Sequence, residues 1–351
     1  MQQQVTLSIE QAQALGLKVL LGNGFNHEHA TAITRSVVSA QRDECHSHGL
    51  YRLIGCVETA RLGGIDGNAR PEVVDHAPSI VKVKANRGSS LSAFERGKPL
   101  LVEKANTTGI AVLAITESFH FSALWQEVEA LSGEGLVALA MTPTHPFVAL
   151  AGGTKALLGT NPFAFSWPRP GKAPYTFDFA TSVIARGEIE LHRRAGEAIP
   201  EGWALDAQGN PTTDPDTALK GAMLAFGGHK GSALSTMIEL LAGPLIGDVL
   251  GHETAAAAEG GKKRPYHGEF IVAISPRAFL GEAADEHLAH AETLFEEIAG
   301  QGARLPSQRR FAARQRSLAD GVKIPRQLHE ELKALIPSSR RWLQAQGAGS
   351  E

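Results

Sequence analysis

A chain of 351 residues with 43% apolar and 20% charged side chains has the balance of a globular protein and room for two or three domains. Its net charge of -3 offers no field to draw in nucleic acid or a membrane surface, and two cysteines cannot make a disulfide framework at this size. The N-terminus lacks the positive and apolar regions of a secretion signal, and the best candidate membrane span, 234–250, is interrupted by Glu239, Pro244 and Asp248, so a cytoplasmic protein is expected.

Ser8 with Gln11 forms a capping-box pattern ahead of a helix carrying Leu15, Val19 and Leu20, which ends at Gly22 and Gly24. Asn26 is placed to cap a second helix with Ile33, Val37 and Ala40 on one face. That helix runs into Asp43-Glu-Cys-His-Ser-His-Gly-Leu-Tyr-Arg52, a polar corner of two histidines, a hydroxyl, an arginine and two carboxylates. A third helix follows on Leu50, Leu53 or Ile54, Val57 and Ala60 and stops at Gly63-Gly64. Such a corner can set a proton donor beside a carboxylate-gripping guanidinium. It can equally be a Ser47 helix cap flanked by solvated side chains. Residues 1–70 read as all-helical, and 64–78 as a connecting loop.

Residues 79–85 alternate, with Val81 and Val83 on one face, and 109–115 and 135–142 are apolar runs of strand length. Between those two runs, 118–132 is a short helical pattern carrying His120, Trp125 and Val128. Residues 163–167, 175–179 and 270–274 read as further strands, so the middle of the chain is a sheet domain with helices inserted. A strong helix over 231–247 presents Leu234, Met237 or Ile238, and Leu241, and the Ala-, Gly- and Lys-rich 251–268 reads as a mobile loop. Leu288, Ala291, Leu294 and Ile298 mark a helix over 283–300. Leu328, Leu332 and Ile336 mark a last one before a frayed tail.

Gly133-Glu-Gly135-Leu-Val-Ala138 has the letters of a dinucleotide fingerprint, but a helix precedes it and a strand follows, the reverse of the Rossmann order. No zinc-helix spacing or clustered ligand pattern occurs, and no metal is expected. A better anion site is 226–232, where a glycine-rich turn opens the strong helix. Free backbone N–H groups and the helix dipole favour a phosphate there and Lys230 adds a full charge, although a tight turn with an exposed lysine fits equally well. Arg304, Arg309, Arg310 and Arg314 can grip a phosphate bidentately or form a solvated face. Asp178-Phe-Ala-Thr-Ser182 and Gly159-Thr-Asn-Pro162 fit either a site or ordinary turns.

Ser47-His48-Gly49, Gly159-Thr-Asn-Pro162, Asp178-Phe-Ala-Thr-Ser182 and Gly227-Gly-His-Lys-Gly231 stand in the order and spacing of one family. The chain resembles the malate/L-lactate dehydrogenases of the non-Rossmann type from about residue 8 to residue 325. His120-Phe-Ser-Ala-Leu-Trp125 with Glu127-Val-Glu129 looks like the branch that reduces Δ1-piperideine-2-carboxylate and Δ1-pyrroline-2-carboxylate with NADPH. The resemblance implies an α/β, non-Rossmann NAD(P)-binding fold. Its sheet domain, residues 76–302, would be largely antiparallel, and its helical domain would be made by both ends, 1–75 completed by 303–345.

It also implies a division of labour. Ser47, His48 and Glu188 would form a proton relay with His48 as donor; Arg52 and Thr160 would hold the substrate, and Arg186 and Gly187 would line it. NADPH, or NADH in its place, would contact His120, Phe121, Ser122, Ala123 and Leu124. Further contacts would come from Asp178, Phe179 and Ala180, from His229 and Lys230, and from Arg304, Leu305, Pro306, Ser307, Gln308, Arg309 and Arg310. The partners implied are a cyclic imino acid or a 2-oxo acid and a second copy of the chain in a homodimer, with neither nucleic acid nor membrane. The imine-reducing branch has Asp where this chain has Glu188 and His where it has Arg186, and Ala185-Arg-Gly187 is closer to the hydroxy-acid members. A 2-hydroxy acid dehydrogenase and a catalytically silent small-molecule binder are the alternatives.

Overall fold

The first and last described segments of the chain meet in one layer. In the computed structural model, which describes residues 3–256 and 266–337, strand β1 (Gln4–Leu7) is followed by α1 (Ile9–Leu21), α2 (His27–Arg42), a 3-10 turn (His46–His48) and α3 (Arg52–Arg61). The capping box of α1 is reciprocal: Ser8 Oγ accepts from the Gln11 N–H at 3.2 Å, and the Ser8 N–H donates to Gln11 Oε1 at 2.9 Å. Asn26 Oδ1 caps α2 by accepting from the His29 N–H at 2.9 Å. Ser47 caps nothing, because it lies inside the 3-10 turn and α3 starts only at Arg52.

Next come β2 (Glu72–Ala77), β3 (Ile80–Lys84), α4 (Ser90–Thr108), β4 (Ile110–Phe119), α5 (Trp125–Ser132), β5 (Val137–Met141), β6 (Val148–Ala149) and β7 (Ala156–Leu158). Then follow β8 (Phe163–Trp167), β9 (Tyr175–Phe179), α6 (Arg186–Ala195), β10 (Ala204–Leu205), β11 (Pro211–Thr212), α7 (Pro215–Ala218) and β12 (Ala222–Leu224). The chain continues through α8 (His229–Ala242), α9 (Gly251–Ala256), β13 (Tyr266–Ile274), α10 (Pro276–Leu280), α11 (Ala284–Gly300), α12 (Gln308–Asp320), β14 (Val322–Pro325) and α13 (Arg326–Ala334).

The main sheet has seven strands in the order β2-β3-β4-β13-β5-β8-β9 and is antiparallel except at β3–β4. A five-stranded sheet, β11-β10-β12-β6-β7, lies beside it, and β1 pairs antiparallel with β14. One core joins Leu20, Ile33, Val37 and Leu53 of the first helices to Val322 and Ile324 of β14 and Leu332 of α13. A second packs Val83, Leu113, Ile115 and Ile271 of the sheet against Phe94 and Leu101 of α4 and Val128 of α5. The fold is α/β with a largely antiparallel sheet.

Several expectations need correction. The first 70 residues are not all-helical, since β1 opens the described chain, and β2 occupies part of the expected loop at 64–78. The predicted helix over 118–132 is confined to α5, with the end of β4 and a loop before it. Of the expected face of Leu234, Met237 or Ile238, and Leu241, helix α8 buries Ile238, and with it Ser235, Glu239 and Ala242. Its Glu239 is held inside by the Asn161 Nδ2 (2.9 Å) and the Gly251 N–H (2.8 Å). The expected loop at 251–268 is helix at its start and strand at its end, and its centre, like the tail after 337, lies outside the described residues. No helix among those described is long and apolar enough to cross a membrane.

Candidate active site

Three of the sequence motifs are stitched edge to edge by backbone bonds. The Thr181 N–H donates to the Thr160 carbonyl at 2.8 Å and the Phe226 N–H to the Thr181 carbonyl at 3.0 Å, which joins 159–162, 178–182 and 226–231. Gly159 is demanded by close approach: a Cβ there would stand 2.1 Å from Thr144 Oγ1. The buried Asn161 fixes the turn from inside, its Nδ2 reaching Ser235 Oγ at 3.0 Å and Glu239 Oε1, while its Oδ1 accepts from the Thr144 N–H at 2.9 Å. Thr160 is thereby presented with its hydroxyl 3.1 Å from that of Thr144.

The 120–124 loop between β4 and α5 is tied to this cluster by Asp178, whose Oδ2 accepts from the Trp125 N–H at 3.0 Å. Burial pushes the Asp178 carboxyl up to about 6, against the pull of that bond and of Arg310. Within the loop Ser122 and Leu124 are buried, and Phe121 packs on Phe119 with ring centroids 5.8 Å apart. Phe179 is exposed at the end of β9.

The histidine corner is a pinned turn. The Ser47 carbonyl accepts from Arg52 Nε at 2.9 Å and from the Tyr51 hydroxyl at 2.8 Å, and Ser47 Oγ lies 3.1 Å from His48 Nδ1. Both Nη groups of Arg52 are left without a partner among the described residues. Burial, assisted by the Arg52 charge, pushes His48 down to about 4. His120 faces it and is pushed down to about 3 by burial, then by His267 and His48; His267 is pushed down to about 4 by burial and His145. His48, His120, His267 and His145 thus influence one another's charge in series, and the first three are neutral at neutral pH.

At the anion end, Gly227 and Gly228 take φ of 57° and 59° and open the 14-residue α8. A Cβ on Gly231 would meet the Phe226 carbonyl at 2.2 Å, so the turn accepts only glycine there. His229 and Lys230 are exposed in the first turn, and Lys230 has no ion-pair partner among the described residues. The arginine run divides. Arg304 and Arg309 are exposed and unpaired among the described residues, whereas Arg310 is buried in ion pairs with Asp43 and Glu129 and lies 3.9 Å over the Trp125 ring. Arg310 is thus committed inside the protein, as is Arg314. Leu305 is buried, Pro306 is half-buried, and Ser307, at φ 64°, donates to the Thr176 carbonyl at 2.7 Å; Gln308 Oε1 accepts from the Leu305 N–H. The helix terminus with Lys230, and separately Arg304 and Arg309, have the chemistry that takes a phosphate.

Arg186, Gly187 and Glu188 open α6. Arg186 Nη2 donates to the Leu219 carbonyl at 2.9 Å, and its guanidinium lies 4.3 Å over the Phe147 ring, so it packs on the protein. Gly187 and Glu188 are exposed, and the Glu188 carboxylate has no partner among the described residues; the contact chain from Ser47 ends at His48. Sequence reading missed Glu269 and His267 altogether and gave Glu127 no role. The carboxylates of Glu127 and Glu269 are buried, and both are shifted upward by burial. A Glu inside an apolar strand run, as at Glu269, was the available signal.

The chain belongs to the malate/L-lactate dehydrogenase family, which it matches over residues 7–333, and is a pyridine-nucleotide-dependent oxidoreductase. It is 55% identical over 332 residues, 95% of this chain and 99% of the relative, to a Δ1-pyrroline-2-carboxylate/Δ1-piperideine-2-carboxylate reductase of Pseudomonas aeruginosa. It is 54% identical to a Δ1-pyrroline-2-carboxylate reductase of Burkholderia ambifaria, over 95% of this chain and 98% of that protein. Among solved structures, a Δ1-piperideine-2-carboxylate reductase from Pseudomonas syringae superposes with a TM-score of 0.89 at 39% identity, covering 94% of this chain and 99% of that one. A sulfolactate dehydrogenase from Methanocaldococcus jannaschii has a TM-score of 0.84 at 28% identity, covering 94% and 96%.

Proposed function

We propose that this chain reduces cyclic 2-imino acids, Δ1-piperideine-2-carboxylate to L-pipecolate and Δ1-pyrroline-2-carboxylate to L-proline, with NADPH preferred over NADH. The observation that carries this reading is the 55% identity to a reductase of that name across nearly the whole of both chains. When bound, the reduced nicotinamide supplies a hydride. Arg52, with both Nη groups free, grips the substrate carboxylate beside Thr160 and sets the imine next to His48. Burial is the larger reason that His48 stays neutral and the Arg52 charge the smaller; a carboxylate docked on Arg52 cancels the smaller one and moves the imidazole toward its protonated form. Ser47 orients the ring through Nδ1. Glu188 joins this relay on the resemblance alone.

The same reading divides the chain into a helical part made by both ends, 1–75 with 303–345, and a sheet part, 76–302, in line with the separate cores. It includes a homodimer, supported by the exposed Leu240, Leu245 and Val249, and a cytoplasmic setting, supported by the unpaired Cys45 and Cys56. A second reading, 2-oxo to 2-hydroxy acid reduction, is favoured by Ala185-Arg-Gly187.

NADPH oxidation followed at the nicotinamide absorbance, with Δ1-piperideine-2-carboxylate and pyruvate in parallel, separates the readings. Turnover of the imine alone is expected; turnover of pyruvate alone would install the second reading, and binding of NADPH without oxidation would leave a silent binder. Lys230→Ala is expected to weaken NADPH binding about 10- to 100-fold, the worth of a charge-assisted phosphate contact, with KM for the imine nearly unmoved. Unchanged NADPH affinity in a fluorescence titration would take Lys230 out of the site.

A further inference from the structure

Glu127 on α5 and Glu269 on β13 are buried face to face, at 1% and 0% exposure, and none of their four carboxylate oxygens has a hydrogen-bond partner among the described residues. One oxygen from each comes within 4.8 Å of the other and of a His120 ring nitrogen. Glu269 shares its sheet face with Ile271 and Ala273, which pack with Leu124 and Val128 of the α5 segment. Two bare carboxylates are strongly disfavoured in such a place, so at rest the pair keeps a positive charge between them. A divalent ion would find three ligand atoms there, one short of a closed zinc shell. A proton needs only two facing oxygens.

We propose that Glu127 and Glu269 share one proton and serve as positioning residues that return a proton to His48 through His120 after each turnover. The inference rests on the reading of His48 as proton donor. An O–H bond of the pair breaks as an N–H bond forms at one His120 nitrogen, and the proton on the other ring nitrogen passes to His48, which has given its own to the imine nitrogen. Solvent then reprotonates the pair. The groups around the pair are His120 from the loop after β4, Asp178 on β9 and Glu95 on α4, and His120 in turn feels His267 on β13 and His48. Burial, then Glu269, Asp178 and Glu95, push Glu127 up, and burial pushes Glu269 up, so the shared proton persists at neutral pH and is lost on the alkaline side.

The test follows two readouts of the full-length enzyme across pH: kcat with Δ1-piperideine-2-carboxylate at saturating NADPH, and the protonated-carboxyl stretch in infrared difference spectra. In the wild type, the alkaline fall of kcat and the loss of the carboxyl band are expected to coincide. Glu127→Gln and Glu269→Gln should each lose about 10- to 100-fold in kcat with KM within about threefold, and lose that alkaline limb. Glu269→Asp should keep the limb, and the double Gln variant should lack the band. Folded Gln variants with wild-type kcat and pH profile, or a wild-type band that titrates apart from kcat, would overturn the relay. A stoichiometric divalent metal in the purified protein, or no carboxyl band, would overturn the shared proton. If a Gln variant does not fold, the coincidence in the wild type decides. A wild type inert toward the imine would refute the function and with it the relay, while the band still judges the pair.

Discussion

His48→Ala is expected to lower kcat at least about 100-fold, the usual worth of a positioned acid, while NADPH affinity stays within about threefold. The imidazole is fixed by the Ser47 hydroxyl at 3.1 Å, and the turn that carries it is pinned by Arg52 and Tyr51 on the Ser47 carbonyl. Among the described residues no hydrogen bond or ion pair joins these groups to α8, Arg304 or Arg309, which is why binding and turnover should separate. Steady-state rates beside a fluorescence titration of NADPH make the comparison. Turnover retained in the variant would remove His48 from the mechanism; a parallel collapse of NADPH affinity would show that the corner and the anion site are one structural unit.

Asp43→Asn is expected to cost about 3–5 kcal/mol of unfolding free energy, as for a buried charge stripped of its partner. The Asp43 side chain is fully buried and accepts from Arg42 at 2.7 Å, Arg310 at 3.0 Å and Arg314 at 2.5 Å, and Glu129 shares the last two guanidinium groups. Burial works against the Asp43 charge, but Arg314 and Arg42 hold the carboxyl below its ordinary value. A lowered folded value means the contribution is present above the unfolded value of about 3.9 and lost as pH falls through the folded one. Urea unfolding at neutral and acid pH tests both parts: the variant should differ from the wild type at neutral pH and converge with it in acid. A difference under about 1 kcal/mol at neutral pH would mean the network behaves as surface ion pairs do.

The sequence was most legible where local chemistry decides. The strands at 163–167 and 175–179 are bounded as their aromatic alternation predicts, and Ser8 and Asn26 cap the helices they precede. What it hid were features settled at long range. Strand β1 buries only Leu7 and finds its partner more than 300 residues away, and α4 runs through Gly97 and Pro99, two residues of low helix propensity. Gly97 is there because a Cβ would stand 2.7 Å from Leu113 Cδ1, a packing fact with no local signature. The motifs of the site could be named one by one, but their joining through Thr160, Thr181 and Phe226 could not. Likewise the arginine run looked uniform, and only the fold separates the free Arg304 and Arg309 from the sequestered Arg310. Glu269 meets Glu127 only because two strands and a helix stack.

The pairing of β1 with β14 also sets an order of events during synthesis. Gln4–Leu7 is synthesised well before its partner Val322–Pro325, which follows on the order of tens of seconds later at ordinary elongation rates. Through that interval the helices bearing the histidine corner lack the strand and the Leu332 side chain that close their core. The nascent segment therefore waits with apolar surface open and is exposed to aggregation in that window, well before the reaction centre exists.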